Sequence, residues 1–75
     1  MYGRSNLKRH RSPGGWELHF QGSALVRVVP DPVYAGMWRV RRSDGTLTDM
    51  ANLTWARDAA VSIALGTLNR QEAAA

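Results

Sequence analysis

The sequence contains no cysteine. Without thiols there is no disulfide framework and no Cys-ligated zinc to support a small core, which fits a reducing compartment. No apolar run approaches the ~18 residues that cross a bilayer. The basic N-terminus is followed by no hydrophobic stretch, so it does not read as a secretory signal, and the expected compartment is the cytoplasm. Acidic residues are missing from residues 1–15, which carry Arg4, Lys8, Arg9 and Arg11. Residues 16–75 hold six basic and six acidic side chains and balance. The formal +4 charge therefore belongs to the first fifteen residues. A high isoelectric point, the usual opening argument for nucleic-acid binding, does not describe the remainder.

Seventy-five residues make one domain at most. A chain of this size buries only ~60% of its extended surface, and a small core without staples makes self-association a reasonable expectation. Residues 1–15 mix Gly, Ser, Pro and Asn with the basic groups, and Tyr2 and Leu7 are their sizeable apolar side chains. That composition predicts a disordered basic tail, closed by the breaker Pro13-Gly14-Gly15. A single domain over 16–70 and a loose end over 71–75 follow.

Trp16 to Phe20 alternates apolar and polar with period two, the pattern of a half-buried strand. Gln21-Gly22-Ser23 is a turn, and Ala24 to Val29 is rich in β-branched residues and forms a second strand. Pro30-Asp31-Pro32 ends it. Met37 to Arg42 is a third strand. Asp44-Gly45 then signals a type I′ hairpin with positive φ at both positions, and Thr46 to Met50 returns as a fourth strand. Asn52 or Thr54 can cap a helix running to about Asn69. Its stripe of Leu53, Ala56, Ala60, Ile63, Ala64 and Leu68 faces a core. Gly66, which costs ~1 kcal/mol relative to alanine, is expected to stop or fray it. The predicted fold is α+β: a small antiparallel sheet of three to four strands packed on one C-terminal helix, in the order β-β-β-β-α.

One helix covers one face of such a sheet. Strand alternation puts Trp38, Val40, Val26 and Val28 on the covered face, with Trp38 filling the volume the alanines leave. Arg27, Arg39 and Arg41 then face outward beside Leu25, Val29 and Met37. On the helix, Trp55 and Leu65 lie off the core stripe, and Ala59, Ser62 and Gly66 form a strip of small residues beside Trp55. Either another surface covers this strip, or Trp55 folds over the end of the sheet near Trp16.

The chain offers little chemistry. His10 and His19 have no spaced Cys, His or Glu partner for a metal site, and no Ser-His-acid set is plausible. Gly14-Gly15 and Asp44-Gly45 are turn signals, not phosphate loops. The expectation is a non-enzymatic protein without cofactor, metal or membrane. Two classes stand. The first is a protein-interaction or assembly module, as a homodimer, using Trp55, Ala59, Ser62 and Gly66. The second is a nucleic-acid-binding domain using Arg27, Arg39 and Arg41 on the sheet, with Lys8, Arg9 and Arg11 adding salt-sensitive affinity. Against the second, arginines on a solvent face also serve solubility alone.

Within Val26 to Leu68 the run VRVVP … GMWRVRRSDGTLTDMANLTWARDAAVSIAL resembles small bacterial proteins of unknown function. In these, a V-V-P … G-W-x-V strand, a turn and a further strand precede an alanine-rich helix. The resemblance covers over half the chain and implies the fold. The layout is also similar to plant-type three-stranded DNA-binding domains, which read the major groove with sheet arginines and tryptophans. That likeness implies comparable positions for Arg27, Arg39 and Arg41.

Overall fold

The structure is a computed structural model; it describes residues 2–74, and the side chains of 2–71. A 3₁₀ turn at Arg4–Asn6 leads into strands β1 (Lys8–Ser12), β2 (Gly15–Phe20), β3 (Ser23–Pro30) and β4 (Trp38–Arg41), and then helix α1 (Leu53–Ala74). The strands form one antiparallel meander, β1-β2-β3-β4. The α+β architecture with a single C-terminal helix is the one the pattern predicts.

Strand β1 falls where the composition predicts a disordered tail. Lys8–Ser12 pairs along its whole length with β2, from Lys8 opposite His19 to Ser12 opposite Gly15. Pro13-Gly14 is the turn of this hairpin rather than a breaker. Proline sets φ at the second turn position and Gly14, at φ +77°, supplies the positive φ of the third. Residues before β1 are also tied down. Leu7 packs on the core, the Tyr2 ring stands edge-on to Phe20 at 4.8 Å, and the Tyr2 N–H donates to Asn69 Oδ1 at 2.9 Å.

The expected fourth strand, Thr46 to Met50, is not a regular strand. It runs beside β4 as an irregular ribbon held by isolated bridges, Arg41 with Leu47 and Trp38 with Ala51. The Val40 N–H donates to Thr48 Oγ1 at 3.0 Å, a side chain standing in for a ladder carbonyl. The turn before it also differs from expectation. Gly45 has φ +90° while Asp44 does not lie in the positive region. The Gly45 N–H donates to Arg42 O and the Arg42 N–H to Thr46 O. This is a three-residue loop with glycine in the left-handed position, the next most common hairpin after type I′. The two-residue hairpin with positive φ at both central positions is at Gln21 and Gly22.

The core lies between the sheet and α1. Ala56, Ala60, Ala64 and Leu68 of the helix meet Trp16, Leu18, Val26, Val28 and Val40 of the sheet. The cross-strand row Arg11–Trp16–Val28–Val40 spans all four strands on this side. Its inner three members are the core and its outermost is an arginine. The tryptophan that fills the core is Trp16; Trp38 is half-buried at the margin, opposite Pro30 at the end of the ladder. A bulge between Leu18 and His19 gives β3 one extra residue, which adds local twist. Asn52 caps α1 by accepting from the Trp55 N–H at 2.9 Å. Gly66 does not stop the helix, which continues through 71–74; the burial of Ala64 and Leu68 on either side outweighs one glycine, and Gln71 to Ala74 are strong helix formers.

Candidate functional site

Three surfaces carry chemistry. The first is the sheet face turned away from the helix. The register puts His10, Glu17, Arg27 and Arg41 in one row across the four strands, with Lys8 and His19 paired beside them and Arg39 opposite Val29. The three sheet arginines thus share the outer face, as alternation predicts. Two of them are built into the fold. The Arg27 guanidinium donates to Ser12 Oγ at 3.2 Å and to Pro13 O at 3.1 Å, and lies 3.9 Å from Glu17. Arg39 donates to Asp31 Oδ2 at 2.8 Å and to Thr48 O at 3.0 Å. Glu17 also shares a 2.9 Å hydrogen bond with His19, whose ring lies 4.2 Å from that of His10. Lys8 and Arg41 remain exposed.

Asp31 is the pivot of the Arg39 contact and one that sequence reading treats only as part of a breaker. Its carboxylate accepts from the Tyr34 and Val33 N–H groups at 2.9 Å each, besides Arg39. These bonds, that from Tyr34 foremost, lower its pKa to about 2.

The basic residues predicted to act together do not share a surface. Alternation in β1 puts Arg9 opposite Leu18 and Arg11 opposite Trp16, on the helix side, while Lys8 pairs with His19 on the outer side. The Arg9 guanidinium sits over the Trp16 ring, 4.7 Å from its centroid, a cation–π contact worth about 0.5–1 kcal/mol at an exposed site.

The second surface is the end of the sheet where β3 passes to β4. The loop 31–37 closes there with the Asp31 N–H donating to Met37 O, and Trp38 bridges Ala51 beside it. Helix α1 starts two residues on. Val33, Tyr34, Met50 and Trp55 all lie at this end and all are exposed, Trp55 at 70%. Trp55 therefore does not fold over the sheet toward Trp16. Of the small-residue strip, Ala59 is half-buried against the core and Ser62 is exposed. Ser62 and Gly66 line a polar groove with Arg42, Asp44 and Arg70.

The third surface is a groove of about 420 Å³ on the β1 side of the helix. Its floor is apolar: Leu7, Trp16, Leu18 and Val61. Arg4, Arg9 and Arg57 stand around it with Asp58 and Thr54. Arg4 and Asp58 approach to 3.6 Å, each about 70% exposed, a pair of little energetic weight. This groove exists only because residues 2–12 are ordered, so nothing in the sequence reading anticipates it.

Among the described residues no cluster of three or more His, Cys, Asp or Glu side chains is placed to hold a metal ion. No helix there is long and apolar enough to cross a membrane. Comparison with models of protein families, with curated proteins and with solved structures yields no match for this chain.

Proposed function

We propose that this domain is a protein-interaction module that pairs with a second copy through the end of the molecule bearing Trp55. The observation that carries this reading is the exposure of Trp55, 70% open, at the end that also exposes Val33, Tyr34 and Met50. Tryptophan is enriched among the few residues that dominate binding energy, and grouped exposed apolar side chains mark interaction sites. The four side chains are uncharged, so two copies meet there without repulsion. The β1 edges could not, since Lys8, Arg9 and Arg11 would face their like. Ser62, exposed on the same helix stripe, extends the surface; Ala59 supports it from the core. Sedimentation equilibrium of the full chain tests the reading. Dimer is expected at high micromolar concentration. Trp55→Ala should be monomeric with stability within about 0.5 kcal/mol of the parent, as for other exposed positions. A monomer mass for the unaltered chain at that concentration overturns it.

A second reading is favoured by one fact. Ordering of β1 brings Lys8 onto the same sheet face as Arg27, Arg39 and Arg41. In that reading the outer face binds nucleic-acid phosphates, with the exposed Lys8 and Arg41 making the contacts and Arg27 and Arg39 holding the face in shape. Arg9 and Arg11, on the other side, take no part. Affinity would then fall steeply with salt, and a low-salt titration without binding to DNA or RNA removes it.

A further inference from the structure

The groove between β1 and α1 is independent of the surface bearing Trp55. We propose that it binds a small amphipathic anion: a flat apolar body lying against Leu7 and Val61, with a carboxylate, sulfonate or phosphate head held by Arg4, Arg9 and Arg57.

Four observations converge on this class. The volume, about 420 Å³, falls inside the ~300–1,000 Å³ of small-molecule sites. The apolar part of the lining is open at Leu7 and Val61, both half-buried, while Trp16 and Leu18 are each 6% exposed, so a flat hydrocarbon would cover the first two. The lining holds three guanidinium groups and one carboxylate. The charge of the groove is therefore positive and selects for an anion. Finally, the guanidiniums come from three separate elements: Arg4 from the 3₁₀ turn, Arg9 from β1 and Arg57 from α1. Arginines drawn from three elements can turn forked N–H donors toward one compact head. The one opposing carboxylate, Asp58, is loosely engaged with Arg4 at 3.6 Å, and an incoming anion can replace it.

The geometry also says what the site refuses. Arg9 already occupies one face of the Trp16 indole at 4.7 Å. A cationic ligand would meet that guanidinium together with those of Arg4 and Arg57. A neutral ligand of the same shape would gain the floor but lose the head contacts.

The probe is 1-anilinonaphthalene-8-sulfonate, titrated against the full chain by fluorescence, with N-phenyl-1-naphthylamine as its neutral counterpart. The expected result is saturable one-to-one binding of the sulfonate. The neutral compound should bind at least about tenfold more weakly, the factor one charge-assisted contact commonly supplies. Arg57→Glu reverses a charge on the exposed helix flank without touching the core, and it should weaken the sulfonate by more than about tenfold while far-UV circular dichroism is unchanged. Arg9→Gln should weaken it in the same direction. Trp55→Ala should leave the affinity as it was, since that side chain does not line the groove. The proposal is overturned by any of three results: no saturable binding up to millimolar probe, equal binding of the neutral compound, or affinity that follows Trp55 and ignores Arg57 and Arg9.

Discussion

The two edges of the sheet are finished in opposite ways. Beyond β4 the chain itself covers the edge: residues 47–51 run alongside, exchange backbone hydrogen bonds between Trp38 and Ala51, and lend Thr48 Oγ1 to the Val40 N–H. Beyond β1 no strand or ribbon runs among the described residues. That edge carries Lys8, Arg9, His10 and Arg11 in succession. An open edge is a template for pairing with another chain, and charge is one of the standard ways to blunt it. The basic run therefore has a structural task before any ligand is considered. The comparison teaches that the same hazard is met by chain on one side and by charge on the other. The two edges should fail differently when disturbed: the covered one by losing stability, the charged one by losing solubility.

The largest effect is expected at the covered edge. Thr48→Val keeps volume and branching but removes the acceptor for the Val40 N–H, and Val40 is completely buried. A buried donor left unpaired costs about 1–3 kcal/mol, a large share of the stability of a domain this small. Urea unfolding of the variant should show a midpoint lowered accordingly with an unchanged slope. An unchanged midpoint would mean that the ribbon 46–50 adds nothing to β4.

What the sequence could and could not announce follows from the same contrast. Strands β2, β3 and β4 and the helix stripe each put apolar groups on one face at the period of the element, and Trp16, Leu18, Val26, Val28, Val40, Ala56, Ala60, Ala64 and Leu68 are buried as periodicity requires. Strand β1 is Lys-Arg-His-Arg-Ser. It has no apolar side chain to alternate, and its place is set by backbone pairing, by Arg9 on Trp16 and by the reach of Arg27 to Ser12 and Pro13. The one local clue, Pro13-Gly14, serves equally as a breaker and as a turn. The ribbon at 46–50 misleads in the other direction, because its alternation is real but Thr48 bonds through its side chain. Of the candidate surfaces, the place of Trp55 off the core stripe is legible, but periodicity leaves open whether it stands in solvent or folds over the sheet end near Trp16, and the structure exposes it. Its company was not legible, because Val33, Tyr34 and Met50 sit in loops whose meeting place depends on the tertiary fold. Nor was the anion groove, which needs β1.

The second prediction concerns pH and the same covered edge. Asp31 holds Arg39, and Arg39 holds the Thr48 carbonyl. The folded pKa of Asp31 is lowered to about 2 from the ordinary 3.8, mainly by the Tyr34 N–H and then by Arg39. A lowered acid pKa means that the unfolded chain binds the proton first as pH falls. The contribution is thus complete above about pH 4 and is lost progressively toward about pH 2. Asp44, lowered by its bonds to Thr46, acts in the same direction. Urea midpoints followed downward from pH 5 should fall less steeply for Asp31→Asn than for the parent, with Asp44 contributing to the slope that remains. Identical slopes would remove Asp31 from the account of this edge.

The smallest change in stability and the clearest change in behaviour are expected at β1. Lys8 and Arg11 are exposed and point to opposite faces of the strand, Lys8 with His19 and Arg11 with Trp16. Replacing both by threonine keeps strand propensity and removes charge from each face of the edge. Exposed substitutions of this kind shift unfolding by no more than about 0.5 kcal/mol. Pairing between copies, however, loses much of its obstacle, since Arg9 is then the one arginine or lysine left in the strand and two such edges meet with far less charge between them. Light scattering at rising concentration should therefore show Lys8→Thr/Arg11→Thr growing into large species where the parent does not. The signal should also fall back toward the parent's when Lys8 alone is restored, because the edge then carries Lys8 beside Arg9 again and both faces of the strand are charged. If the double variant stays as well dispersed as the parent, charge is not what keeps this edge bare, and the basic run must be explained by what it binds.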